Sequence, residues 1–247
     1  VMTGTHPEYD SRAMMEAFQA YKAGGGRLMY MGGNGFYWKV DYNDEFPGAI
    51  EMRRAEDGSR GWLAEPGEYY NAWSGELSGL WCRNGIPPQA IGGTGFAAQG
   101  FDSSTHYRRT AASFDPRASF IFEGVGDDEV IGDFGAMGGG AAGWEVDRAD
   151  HHLGTPPHAL LVAEATDFSS GYVWVAEEHR HAHPAITGET CPHVRCDMVF
   201  FETPKGGAVF STSSIAWSGA LAFADYDNNV SRITENVVRR FLDPKPF

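Results

Sequence analysis

His6 and Glu8 stand two residues apart in THPEYDS, with Tyr9 beside them, and Glu145 opens a charged cluster in WEVDRAD that also holds Asp147, Arg148 and Asp150. An imidazole beside carboxylates brings a proton carrier and an oxygen ligand together. Hard carboxylate and phenolate oxygens suit ferric iron, which polarises a carbonyl and acidifies bound water. The plainer reading is a capped turn in which His6 and Glu8 bond nearby backbone, because no spacing rule makes H-x-E a metal motif. Asn34, in the glycine-rich MGGNG at 31–35, either points its amide at a substrate oxygen or stabilises a left-handed backbone.

A second set gathers His179, His181, His183, Cys191, His193 and Cys196, soft or borderline donors of which zinc would accept four. The spacing C-x-H-x-x-C matches no familiar zinc pattern, and alternate histidines on an acidic loop are otherwise solvated surface. Nucleophile signatures are absent: Gly-x-Ser-x-Gly does not occur, and the glycines of MGGNG lack the lysine of a phosphate loop.

Residues 5–38 read as polar loop, helix, buried strand and glycine-rich turn, one αβ unit that would carry the site. Met14, Ala17, Phe18 and Tyr21 fall at i, i+3, i+4 and i+7, an apolar stripe on a helix that Ser11 caps and Gly24 to Gly26 end. Arg27 to Met31 then reads as a strand, and polar groups that meet ligands gather beyond the carboxyl ends of strands in open α/β sheets. Further strands are expected at 49–54, 119–125 and 159–165, and a β-hairpin at 197–211 around the turn TPKGG. Residues 68–83 read as a packed loop, 86–100 as glycine- and proline-rich loop, 101–109 as polar loop, and 135–143 as a segment that brings backbone close to something. Val230, Ile233, Val237 and Phe241 have helical spacing, with Asp243-Pro244 as the stop.

The 247 residues can bury a sizeable core. With 33 acidic against 19 basic residues the net charge is -14, which repels phosphate backbones and anionic lipid, so neither nucleic acid nor a membrane surface is an expected partner. Three cysteines form no disulfide framework, no apolar run approaches the roughly 18 residues of a membrane span, and no signal peptide opens the chain, so cytoplasm is the expected location. The opening VMTG reaches structured-looking sequence at once, as in a fragment or one part of a larger enzyme.

The blocks THPEY, GGRLMYMGGNGFYW, IEMRR, GEYYNAWSGE, AAQGFD, FEGVGDDEVIGDFG, AAGWEVDRAD, DMVFFETPKGGAVFSTSSIAWSGAL and NNVSRITENVVRRF resemble the carboxyl-terminal part of the large subunit of N,N-dimethylformamidase and its relatives, over nearly the whole chain. The resemblance implies a single α/β catalytic domain over 1–247, or a fragment of the larger subunit. Its fold would be like class I glutamine amidotransferases, a layered sheet with helices on both faces and long loop insertions, without their cysteine nucleophile. It also implies a mononuclear ferric iron held by two tyrosines and one glutamate. By motif that glutamate is Glu8, with His6 as its hydrogen-bonding or proton-transferring neighbour, and Asn34 and Glu145 match further active-site positions; Arg54 stands where the family can place a basic residue.

The tyrosine ligands would precede HPEY and lie outside this chain. Another polypeptide or a missing segment supplies them, or Tyr30, Tyr37, Tyr69 or Tyr70 substitutes. The activity implied is hydrolysis of a small N-substituted amide of the formamide type to an amine and a carboxylic acid. Partners would be the amide, the rest of the large subunit or another chain, and a small subunit. The rival reading is a non-catalytic structural or binding domain of the same fold with an incomplete metal site.

Overall fold

The computed structural model describes residues 1–54, 65, 67–175 and 185–247. In chain order its elements are β1 (Tyr9–Asp10), α1 (Arg12–Ala23), β2 (Arg27–Tyr30), β3 (Trp38–Tyr42), β4 (Ile50–Met52), α2 (Pro88–Gly92), β5 (Gly95–Thr105), β6 (Arg108–Arg109), β7 (Ala142–Arg148), β8 (Leu160–Ala165), β9 (Val173–Trp174), β10 (Cys196–Thr203), β11 (Gly207–Ser211), α3 (Trp217–Ala220) and α4 (Asn229–Leu242). They form a five-stranded sheet in the order β2-β11-β10-β8-β6 and two three-stranded sheets, β1-β3-β4 and β7-β5-β9. In the large sheet β2 runs parallel to β11, and the remaining pairs are antiparallel. The architecture is mixed α/β.

Strand alternation splits the core in two. Met29, Met198, Phe200, Ala208 and Phe210 face one cluster, where Val230, Ile233 and Val237 of α4 meet them; Leu28, Tyr30, Phe201 and Val209 face the other, with Met15 of α1. Burying each of the three α4 side chains stabilises the fold by ~1.5–3 kcal/mol. Asn228 caps α4 by accepting from the Ser231 N–H, and Ser11 caps α1 by accepting from the Met14 N–H. The α1 stripe is turned by one position from the sequence reading: Met15 and Lys22 are buried and Phe18 half-buried, whereas Met14 and Tyr21 are exposed. Lys22 is drawn inward because its ammonium donates to the Ala90 and Ile91 carbonyls at the end of α2.

Three other expectations change. Residues 119–125 form a 3-10 turn (Ser119–Phe122) rather than a strand, and Ile121 and Phe122 pack with the α4 residues Ile233 and Val237. Residues 86–100 contain α2 and the start of β5, and β5 and β6 occupy most of the stretch expected as polar loop. Exposed Phe101 and polar Ser103 to Thr105 gave β5 no apolar alternation to read. The glycine run 135–143 behaves as expected, since side chains at Gly138, Gly140 and Gly143 would collide with Ser103 to Thr105. Among the described residues no helix is long and apolar enough to cross a membrane.

Asp10 ends β1 with Oδ2 buried and without a hydrogen-bond partner among the described residues, and burial pushes its carboxyl from 3.8 up to about 7. A carboxyl raised in the folded state binds its proton more tightly there than in the unfolded chain, so its contribution to stability falls as pH rises from 3.8 to about 7 and is level above. Asp10→Asn is expected to flatten that part of the thermal-denaturation profile and to exceed the parent by ~1–2 kcal/mol near pH 8. An unchanged pH slope in the variant would assign the effect elsewhere.

Candidate functional site

The segment before α1 lies along the glycine-rich turn that follows β2, joined to it by backbone hydrogen bonds. Gly33 N–H donates to the Thr5 carbonyl (3.2 Å), Phe36 N–H to Pro7 (2.7 Å), and Tyr37 and Trp38 N–H to Glu8 (3.2 and 2.8 Å). This approach needs glycine: a Cβ at Gly32 would strike the Thr5 carbonyl, and one at Gly33 the Glu145 carbonyl of β7. Asn34 itself takes a left-handed backbone (φ 50°), as does Phe36 (φ 58°). Asn34 is thus a left-handed turn residue, and its amide is directed at two carboxylates.

His6, Glu8, Asn34 and Glu145 converge. The Asn34 amide nitrogen donates to Glu8 Oε1 at 3.2 Å and to Glu145 Oε2 at 3.1 Å, and two carboxylate acceptors fix which way that amide points. His6 Nε2 lies 2.8 Å from Glu145 Oε2 and 3.4 Å from Glu8 Oε2. The Glu8 and Glu145 side chains are 14% exposed and that of His6 is 34% exposed, so the imidazole is the most accessible of the three. The Asn34 Oδ1 is buried and has no hydrogen-bond partner among the described residues, leaving one acceptor unused inside the cluster.

Electrostatics follow from this crowding. The hydrogen bond to Glu145 holds the His6 imidazole above its ordinary range, against burial. Burial holds the Glu8 carboxyl above its ordinary range despite the nearby imidazole, with the Glu145 charge adding to the rise. Asp147, two residues beyond Glu145 on the same side of β7, is fully buried and pushed up to about 7 by burial, against hydrogen bonds from the Asn34 N–H and the Tyr30 hydroxyl that favour its charged form. Three carboxylates therefore gather around one imidazole.

Glu8 fits as one hard-oxygen ligand, since it is partly withdrawn from water within an anionic surplus that a cation would offset. Among the described residues no group of three or more His, Cys, Asp or Glu is arranged to hold a metal ion. Here the nearby carboxylates are engaged by hydrogen bonds from His6 and Asn34.

The tyrosine substitutes are not supported at Tyr30, whose buried hydroxyl donates to Asp147 and accepts from the Gly35 N–H, both at 2.7 Å, and whose phenol burial holds well above its ordinary range. Tyr37 is buried beside Phe96 and Trp38, and Tyr70 pairs with Leu77 in the loop beyond. Tyr69 offers its carbonyl to Ser78 in that same loop. The phenol that reaches Glu8 is that of Tyr9, which also accepts from Arg54 Nη2 at 2.9 Å. Arg54 lies over the Trp38 ring at 4.9 Å and so belongs to this rim.

The proposed zinc set does not assemble among the described residues. His179, His181 and His183 lie outside them. The buried Cys196 thiol donates to the Ser213 carbonyl at 3.0 Å, and burial keeps it protonated, the wrong state for a zinc ligand. Cys191 is a half-buried free thiol, and His193 stacks on Trp174. The sequence offers Tyr30 only as a substitute metal ligand and groups Asp147 only by charge. Asp147 was readable from its i, i+2 relation to Glu145 on a strand, but Tyr30 carried no signal beyond a buried-strand position.

Fold and cluster together define a mixed α/β protein with a paired-carboxylate and imidazole site suited to acid–base chemistry. The chain belongs to the family described as N,N-dimethylformamidase beta subunit-like, C-terminal, whose model matches residues 1–230. It is 44% identical over 246 residues to the N,N-dimethylformamidase beta subunit of Paracoccus aminophilus and 43% identical over 246 residues to that of an Alcaligenes species. The expected family is thus found, with the relatives' subunit designated beta where the sequence reading had large. Each match covers 100% of this chain and 32% of the relative, so the chain spans about a third of the length of these relatives.

Two outcomes follow from this geometry. Glu145→Gln is expected to lower the His6 pKa toward 6.5, read by NMR titration of the imidazole. The sign follows from the raised value: the pair's contribution to stability is complete below 6.5 and is lost as pH rises through the elevated His6 value. Gly33→Ala is expected to cost on the order of 1–3 kcal/mol in thermal denaturation, because both the new methyl group and its obstacle are fixed to backbone.

Proposed function

We propose that this chain is the acid–base portion of an iron-dependent amidohydrolase that cleaves a small N-substituted amide of the formamide type to an amine and a carboxylic acid. The observation that carries the reading is the convergence of His6, Glu8, Asn34 and Glu145 at the turn after β2. The names of the relatives, beta subunits of N,N-dimethylformamidase, support the substrate class. The fold we propose for it is the class I glutamine amidotransferase-like arrangement without a cysteine nucleophile.

Glu8 would contribute one oxygen to the iron, and tyrosines from the remaining two thirds of the polypeptide or from another subunit would complete the ligands. When bound, the ion supplies Lewis acidity toward the amide carbonyl or a water. The chain's own residues handle protons and orientation. Glu145 is the base that takes a proton from the attacking water as its oxygen bonds to the carbonyl carbon. His6, hydrogen-bonded to Glu145, relays that proton to the amide nitrogen as the C–N bond breaks, so the amine leaves neutral and both the imidazole and the Glu145 carboxylate are restored. Asn34 holds Glu8 and Glu145 at a fixed separation through one amide group and orients the substrate.

General acid–base help of this kind contributes about 10²–10⁴-fold, so Glu145→Gln in the assembled enzyme is expected to lower kcat by that factor. Glu8→Ala is expected to lose iron and activity together, measured by elemental analysis and amine release on the same preparation. Full activity in the Glu8 variant would overturn the metal role. Full activity in both variants would leave the non-catalytic reading of this domain.

A further inference from the structure

We propose that Tyr30 and Asp147 form a buried latch that sets the aim of the Asn34 amide, which makes them positioning residues for the chemistry above; this rests on the reading of that cluster as the active site. Asp147 divides its two oxygens: Oδ1 accepts from the Asn34 N–H and Oδ2 from the Tyr30 hydroxyl, each at 2.7 Å. The Tyr30 oxygen in turn accepts from the Gly35 N–H at 2.7 Å. Two consecutive backbone amides of the turn are thereby held by one carboxylate and one phenol.

Each end of the latch is anchored in a different sheet. Tyr30 closes β2 in the five-stranded sheet, and Asp147 lies on β7, with Glu145 two residues earlier on the same side. The latch therefore ties the turn that carries Asn34 to the strand that carries Glu145. Tyr30 and Asp147 are fully buried and Asn34 is 2% exposed, so no water competes for these bonds.

Asn34 needs such restraint because its left-handed backbone (φ 50°) costs free energy for a residue other than glycine. Its amide also has to meet two carboxylates at once, at 3.2 and 3.1 Å. With the latch open the backbone can relax, and a small rotation about Asn34 takes the amide off one of its two acceptors. The loss falls on the aim of a group that touches the reacting centre, through a residue that does not.

The test is a double-mutant cycle in the assembled enzyme with Tyr30→Phe, Asn34→Ala and the pair, following kcat, KM and bound iron. Tyr30→Phe is expected to lower kcat about ten- to a hundred-fold with KM and iron content nearly unchanged, and to have no further effect on kcat when Asn34 is already alanine. Asp147→Asn should retain more activity than Asp147→Ala, because its Oδ1 still accepts from the Asn34 N–H while its amide donates to the Tyr30 oxygen. Should Tyr30→Phe fail to fold, the cycle of Asp147→Asn with Asn34→Ala reads the same coupling. A large loss in Asn34→Ala combined with multiplicative, independent effects of Tyr30→Phe overturns the latch and leaves the site intact. Parental activity in Asn34→Ala overturns the latch and the reading of the site together.

Discussion

Everything in the candidate site depends on how closely the backbone after β2 passes between two other pieces of chain. Gly32 lies against Thr5 and Gly33 against Glu145, with no room for a side chain at either. This close passage brings the H-x-E segment to one side of Asn34 and β7 to the other. A single amide then spans carboxylates that are 137 residues apart in sequence, Glu8 and Glu145. Had either glycine carried a methyl group, the sheets would be pushed apart at the point where the amide bond lengths allow no slack.

The electrostatic consequence is a cluster that is poorly neutralised from within. Glu8, Glu145 and Asp147 surround one imidazole, and the raised positions of Glu8 and Asp147 record that burial removes water faster than hydrogen bonds replace it. Functional sites are where such imbalance persists, because the same residues would be replaced if stability alone were selected. Asp147 is fully buried with both of its oxygens in hydrogen bonds, whereas Glu8 is 14% exposed, with Oε1 accepting from Asn34 and Oε2 at 3.4 Å from the His6 imidazole.

The division of the family's relatives fits this arrangement. The chain corresponds to about a third of their length, and among its described residues no complete set of metal ligands comes together. Two carboxylates, an imidazole and the amide between them are present, and the iron of the proposed function would need ligands besides Glu8. Beside the cluster, the Tyr9 phenol links the Arg54 guanidinium to Glu8.

Local patterns in the sequence determined α1 with its Ser11 cap, β2, the hairpin of β10 and β11, and α4, because caps, strand alternation and helical spacing act over a few residues. The residue types of His6, Glu8, Asn34 and Glu145 made them candidates for one site, and the quoted blocks named the family. Spacing could not say that these four meet, which face of α1 turns inward, or that 119–125 gives up strand form to pack against α4, since each outcome is set by a partner far along the chain. The Tyr30–Asp147 bond belongs wholly to the tertiary structure. A buried strand tyrosine and an acidic residue 117 positions later acquire a joint role only when two sheets are brought together.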